Sequence, residues 1–196
     1  MKKNKEIFKT NLPGFSLIEM AVVLSILGLL LGGVLKGKQL YDSAKLNALI
    51  TQIQDISLSI HQFEQNFGAL PGDFAGACEK INNKLTNGDG NGLVENEEKN
   101  HVWPHLAGAG LISSNSAPIA KTGGEISFSY AIQDGTSGHW IIIGEKAPLT
   151  PEQAFTIDKK IDSGIGNTGK VRGVKISDKG DCINSDGSYN ISNKNH

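Results

Sequence analysis

The sequence has little excess charge: 19 basic residues against 20 acidic ones leave a formal net charge of -1. Without a basic surplus the electrostatic footprint of a nucleic-acid-binding protein is missing, and no nucleic-acid partner is implied. Aromatic residues make up 6% of the chain while glycine contributes 24 residues, so the soluble part should be loop-rich around a small core. There are 6 prolines, and none falls between Phe15 and Phe67. Cysteine is limited to Cys78 and Cys182, with no Cys-x-x-Cys unit for a metal or a redox couple. In an exported domain an even pair favours one disulfide, so a Cys78–Cys182 bridge is expected. Enzyme signatures are missing as well. A membrane-tethered exported hydrolase would need a framed nucleophile and base, and neither Gly-x-Ser-x-Gly nor His-Glu-x-x-His occurs. Asp158 and Asp162 fall on one helical face and read as a solvated surface, and no catalytic residue is assigned. The 196 residues show no internal repeat and suit one modest domain plus an anchor.

What the chain does have is a long apolar run. Lys2, Lys3, Lys5 and Lys9 face a single acid, Glu6, in residues 1–14; from Phe15 to Leu35 only Ser16, Glu19 and Ser25 are polar. At about 1.5 Å per residue this run spans roughly 31 Å, the thickness of a bilayer's hydrocarbon core. The basic leader keeps the N-terminus cytoplasmic and sends the remainder outward, although Lys36 and Lys38 pull the other way. An ordinary secretory signal is shorter and ends in an Ala-x-Ala-like site, which is missing. A plain signal anchor fits better but leaves Glu19 unexplained. A carboxylate near the centre of a membrane helix costs about 2.5–3.5 kcal/mol on insertion scales, so it needs a partner.

The string Gly14-Phe15-Ser16-Leu17-Ile18-Glu19-Met20 behind a basic leader resembles the processing site of type IV prepilins and type II secretion pseudopilins. The resemblance implies cleavage after Gly14 by a membrane aspartyl peptidase and N-methylation of Phe15 by the same enzyme. It also implies that Glu19 is needed for assembly. The implied partners are that peptidase/methyltransferase, the inner membrane, and copies of this chain or other pilin-like subunits in a filament. Each position also makes chemical sense. Gly14 lets a peptidase approach the backbone closely, and cleavage creates an amine at Phe15, four residues from Glu19 on the same helical face. The Glu19 carboxylate can neutralise that amine on its own chain or, as the resemblance implies, on the neighbouring subunit, where pairing offsets two desolvation costs only in the right register. Gly28, Gly32, Gly33 and Gly37 form two Gly-x-x-x-Gly spacings. These are open to close helix approach, to ordinary glycine tolerance in membrane helices, or to the local unwinding that the resemblance implies.

Past the anchor, Leu46, Leu49, Ile53, Ile56, Ile60, Phe63 and Phe67 recur at spacings of three and four, a narrow stripe on a helix that Gly68 and Pro71 end. One helix of about 80 Å is expected, half in lipid and half under a domain, the lollipop outline of pilins. His61 falls on the stripe's flank and reads as a surface residue. Residues 68–124 read as a long connection with one short helix near 103–112. Within it Asn87, Asp89, Asn91, Leu93 (through its carbonyl), Glu95 and Glu98 fit a calcium-loop template at positions 1, 3, 5, 7, 9 and 12, with Gly92 at the sharp turn. A structural calcium of modest affinity is expected there, the alternative being an ordinary turn cluster. His101 and His105 are four apart, but Pro104 argues against a regular helix joining them as a zinc pair.

Alternation at Ile126, Phe128, Tyr130 and Ile132 reads as a half-buried strand. A loop over 134–138 leads to a partner strand at 139–146, and Val171–Ile176 is a candidate third. Thr150-Pro151-Glu152-Gln153 is a capping-box start to a helix stopping near Gly164. The expected class is therefore α+β, a long N-terminal helix packed on a small antiparallel sheet. Its segments are 1–14 (leader), 15–38 (membrane half), 39–67 (amphipathic half), 68–184 (exported domain) and 185–196 (polar tail, expected disordered). The resemblance leaves open a pilus subunit and a pseudopilin of a type II secretion system. A soluble part larger than the major pseudopilin's leans towards the pilus, giving an inner-membrane precursor that ends in a periplasmic or cell-surface filament.

Overall fold

A computed structural model describes residues 14–133, 135–144, 149–174 and 182–192. In chain order it contains α1 (Leu17–Phe67), α2 (Ala77–Lys80), a 3-10 turn (Asn96–Asn100), α3 (Val102–Gly108), β1 (Ile126–Gln133), β2 (Thr136–Ile143) and α4 (Pro151–Ile161). The architecture is α+β. The chain divides into two compact units, Met1–Ser43 and Ala44–His196.

In the first unit every described residue is exposed. The first part of α1 runs without a break through Gly28, Gly32, Gly33 and Gly37, and no atom lies within 4 Å of where their β-carbons would stand. Among the described residues α1 is the one helix long and apolar enough to cross a membrane. Among the described residues no core covers its leucines and valines, so an apolar surface this large needs lipid or another chain.

The second unit begins where polar residues break the apolar run into a stripe. Leu46, Leu49, Ile56, Ile60 and Phe63 are buried, and Ile50, Ile53 and Phe67 are packed against the same core. That is the face the spacing of three and four anticipates. His61 is exposed, its Nδ1 3.7 Å from Glu64 Oε2. Gly68 adopts φ 71° and closes the helix by donating its N–H to the Glu64 carbonyl at 2.8 Å. Phe63, Phe67 and Phe74 then form a ring cluster with centroids 4.6–6.0 Å apart. Gln52 clips residues 119–121 to the helix, its amide nitrogen donating to the Ile119 carbonyl and its oxygen accepting from Lys121 N–H.

The sheet has two antiparallel strands, with Ile126 opposite Ile143, Phe128 opposite Ile141 and Tyr130 opposite His139. The hairpin is tighter than the sequence suggests: β2 starts at Thr136, not His139, with Gln133 already opposite Thr136 and Gly135 at φ 75°. The expected third strand does not form over 171–174, while 175 and 176 lie outside the described residues. Gly173 instead pairs its N–H with the Gly166 carbonyl, and both glycines lie against Ile183 and Tyr189. The capping box of α4 forms in both directions, Thr150 Oγ1 accepting from Gln153 N–H and Gln153 Oε1 from Thr150 N–H.

Three further expectations are corrected. The short helix runs Val102–Gly108 and contains Pro104. Proline sits in its first turn, where its missing N–H has no intrahelical partner anyway. The tail is not disordered over 185–192: Ile183 bridges to Tyr189, which is buried. Asp158 is no solvated residue but fully buried. Its Oδ1 accepts from Gly164 N–H at 2.9 Å and its Oδ2 from the Tyr189 hydroxyl at 3.0 Å. Tyr189 is correspondingly hard to ionise, through burial and then through its bond to Asp158.

Candidate processing segment and acidic loop

The leader up to Pro13 lies outside the described residues. Gly14 is exposed with open space around it, and Phe15 is 84% exposed, so the bond between them is sterically accessible. α1 begins at Leu17, capped by a reciprocal pair: Ser16 N–H donates to Glu19 Oε2 at 2.8 Å, and Glu19 N–H donates to Ser16 Oγ at 3.2 Å. This is the capping-box arrangement, with a carboxylate at the positive end of the helix. Glu19 is thus held at the helix lip beside Phe15, and its acceptor capacity is only partly used. The capping role of Ser16 was legible as Ser-x-x-Glu ahead of an apolar run, but the sequence reading attended only to Glu19.

The acidic loop is held by its own side chains. Asp89 Oδ1 accepts from Asn91 N–H at 2.9 Å, and Asn91 Oδ1 accepts from Leu93 N–H at 2.7 Å. Glu98 Oε1 accepts from Asp89 N–H at 2.8 Å, bringing loop positions 3 and 12 together. Asn87 is turned elsewhere, its Oδ1 accepting from Cys78 N–H at 2.7 Å. Glu95 caps the 3-10 turn in a reciprocal box with Glu98. The sequence reading missed Asp73, which is 2% exposed and whose Oδ2 accepts from Gly92 N–H at 3.0 Å. Its only sequence signal is the acid in Leu70-Pro71-Gly72-Asp73, a turn that reads as a helix stop.

Two histidines hold the same region. His105 Nδ1 accepts from Gly72 N–H at 2.9 Å, which leaves Nε2–H to donate to the Thr86 carbonyl at 2.7 Å. His101 stacks on His105 with centroids 6.2 Å apart. His105 uses both ring nitrogens structurally, so the pair is no zinc site. His139 Nε2 accepts from Val94 N–H at 3.1 Å, and its ring stacks on Phe128. Burial is the largest influence on both rings and pushes their pKa values down.

The structure does not bring the cysteines together; both are free thiols. Cys78 sits on α2 with Sγ 3.6 Å from the Asn83 carbonyl. Cys182 lines a different cluster with Ile143, Pro151, Ile157 and Tyr189.

Comparison with known proteins bears on the first site. Residues 13–35 match the family model of the prokaryotic N-terminal methylation motif, the hallmark of type IV pilin and pseudopilin precursors. No curated protein and no solved structure matches the chain.

Proposed function

We propose that the chain is a type IV pilin-like filament subunit, made as a membrane-inserted precursor, cut after Gly14, methylated at Phe15 and assembled through α1. The observation that carries the reading is the methylation motif at 13–35 at the start of a helix whose apolar side chains up to Leu35 are all exposed. Hydrolysis of the Gly14–Phe15 bond releases the leader as a carboxylate and leaves an amine on Phe15. The methyltransferase then moves a methyl group from its methyl donor to that amine, one N–H proton is released to solvent, and the nitrogen stays basic. Glu19, tied to its own chain through Ser16 N–H, is the acceptor an incoming subunit's amine can take. The exchange favours the correct register, because a misplaced neighbour leaves an amine and a carboxylate unpaired in an apolar layer. Such a subunit works by binding and needs no catalytic residue.

Intact-mass measurement on membrane-extracted protein tests processing. The expected mass is that of residues 15–196 plus one methyl group, and a retained leader overturns the reading. Glu19→Ala is expected to insert and be processed, yet to fall strongly in sheared filament yield relative to the membrane pool. Wild-type yield from this variant would remove the amine-pairing step.

A further inference from the structure

The loop 86–98 folds around the turn that follows α1. Gly88 N–H donates to the Phe74 carbonyl and Gly90 N–H to the Asp73 carbonyl, each at 3.0 Å. A β-carbon on Gly88 would stand 2.3 Å from the Asp73 carbonyl carbon and 2.4 Å from the Gly72 oxygen, so only glycine permits this approach. Gly72, at φ 100°, is equally confined on its other side by the Glu98 carbonyl oxygen. Two stretches far apart in the local pattern are thereby held backbone to backbone.

This close approach gathers charge of one sign. One carboxylate oxygen from each of Asp73, Asp89 and Glu98 lies within 4.8 Å of the others. Asp89 and Glu98 retain lone pairs after their backbone bonds. Asp73 is more telling, because it is 2% exposed and its Oδ1 has no hydrogen-bond partner. Buried polar atoms are nearly always satisfied, and an orphaned carboxylate oxygen among other carboxylates calls for a cation or a proton. No lysine or arginine among the described residues ion-pairs with the three acids. The nearby titratable bases are His139, which accepts from Val94 N–H, and His105, which accepts from Gly72 N–H and donates to the Thr86 carbonyl; burial pushes both pKa values down, so neither ring balances the acids.

We infer that Asp73, Asp89 and Glu98 form a binding site for a hard divalent cation, calcium in preference to magnesium. All three donors are oxygen, which selects hard cations over zinc or copper. The 4.8 Å limit falls within the about 5 Å across a calcium coordination sphere, whose bonds run about 2.3–2.6 Å. Magnesium bonds of about 2.0–2.1 Å in near-ideal octahedral geometry require a tighter set. The ligand set differs from the twelve-residue template. Asp89 and Glu98 stay, Asn87 and Glu95 are taken up by Cys78 and the 3-10 turn, and a buried aspartate from outside the loop replaces them. The ion's role is structural: it joins the loop to the end of α1 and removes the repulsion among the acids. Burial and the charge of Glu98 both push the Asp73 carboxyl up, the state a cation relieves. The inference does not depend on the filament reading, since its residues lie outside the N-terminal motif.

The test uses the full chain in detergent, stripped of metal, with equilibrium dialysis against Ca2+ at and above the about 10⁻⁴–10⁻³ M typical of extracellular sites. One ion per chain is expected, with the melting temperature rising progressively with Ca2+ and returning to its starting value in chelator. Asp73→Asn should lose the ion and the shift, while melting in chelator no lower than the wild type because a buried charge is gone. Glu98→Gln should also lose the ion. Glu97→Gln, whose carboxylate accepts from Asn100 outside the cluster, should bind as the wild type does. No bound Ca2+ at saturating concentration, or binding unchanged in Asp73→Asn, overturns the site. If circular dichroism shows Asp73→Asn unfolded, Asp89→Asn and Glu98→Gln decide on the same terms. Magnesium bound as tightly as calcium overturns the choice of ion.

Discussion

α1 carries two different helices in one continuous backbone. Up to Leu35 it is apolar apart from Glu19 and Ser25, and it stays wholly exposed as far as Ser43; from Leu46 it is apolar on one face, and that face is buried. Both parts have the same hydrogen-bonded geometry. The difference lies in how much of the circumference is apolar. A stripe can be covered by one small domain, whereas an all-round apolar surface needs a medium that is itself apolar. Hydrophobicity therefore acts within the chain in one part and outside it in the other.

One pair of substitutions breaks or sharpens this comparison most strongly. Leu49 is 0% exposed and Leu29 is 79% exposed. Leu49→Ala should cost about 2–5 kcal/mol of stability. Leu29→Ala should leave the denaturation midpoint unchanged in detergent. A comparable loss from Leu29→Ala would mean that the first part is also covered within the chain.

Polar burial is a second point of contrast, since the second unit hides charged groups and the first exposes its two described acids, Glu19 and Asp42. Tyr189→Phe keeps the ring but removes the hydroxyl that donates to Asp158 Oδ2. Leaving that buried oxygen unpartnered should cost about 1–3 kcal/mol, read from urea unfolding with fluorescence. An unchanged midpoint would mean that water replaces the hydroxyl and the tail is dispensable.

The smallest effect is a pH slope. His105 and His139 have folded pKa values below the ordinary 6.5, so the unfolded chain takes up protons first as pH falls. Their contribution is fully present above about pH 6.5 and is lost progressively below it, at no more than about 1.4 kcal/mol per pH unit per histidine. Melting between pH 8 and 5.5 should show this fall, and His105→Gln should flatten part of it, with Asp73 titrating alike in both proteins. The same slope in variant and wild type would rule out a neutral buried His105.

Much of this is legible in the sequence. The stripe at 46–67, the alternation at 126–132 and the Thr150–Gln153 box are patterns within a few residues, and helices and strands are local objects with fixed periods. Errors collected where an assignment depended on a distant partner. Asp158 shares a helical face with Asp162, yet Tyr189, well beyond α4, turns that face inward. The tail looked disordered because its polar sequence hides one buried tyrosine. The cysteine pair was inferred from number and compartment, and number says nothing about where two chain segments lie.

By itself the sequence determined the apolar helix, the methylation motif at its start and the α+β class, because lipid-length runs, capping residues and periodicity express local physics. Only the tertiary structure decided which acids meet. Asp73 joins Asp89 and Glu98 because Gly72 and Gly88 let two backbones touch, and no period or spacing in the sequence encodes that approach. Electrostatic sites depend on distances of a few ångströms between groups far apart along the chain, and those distances exist only once the loop has closed on the helix end.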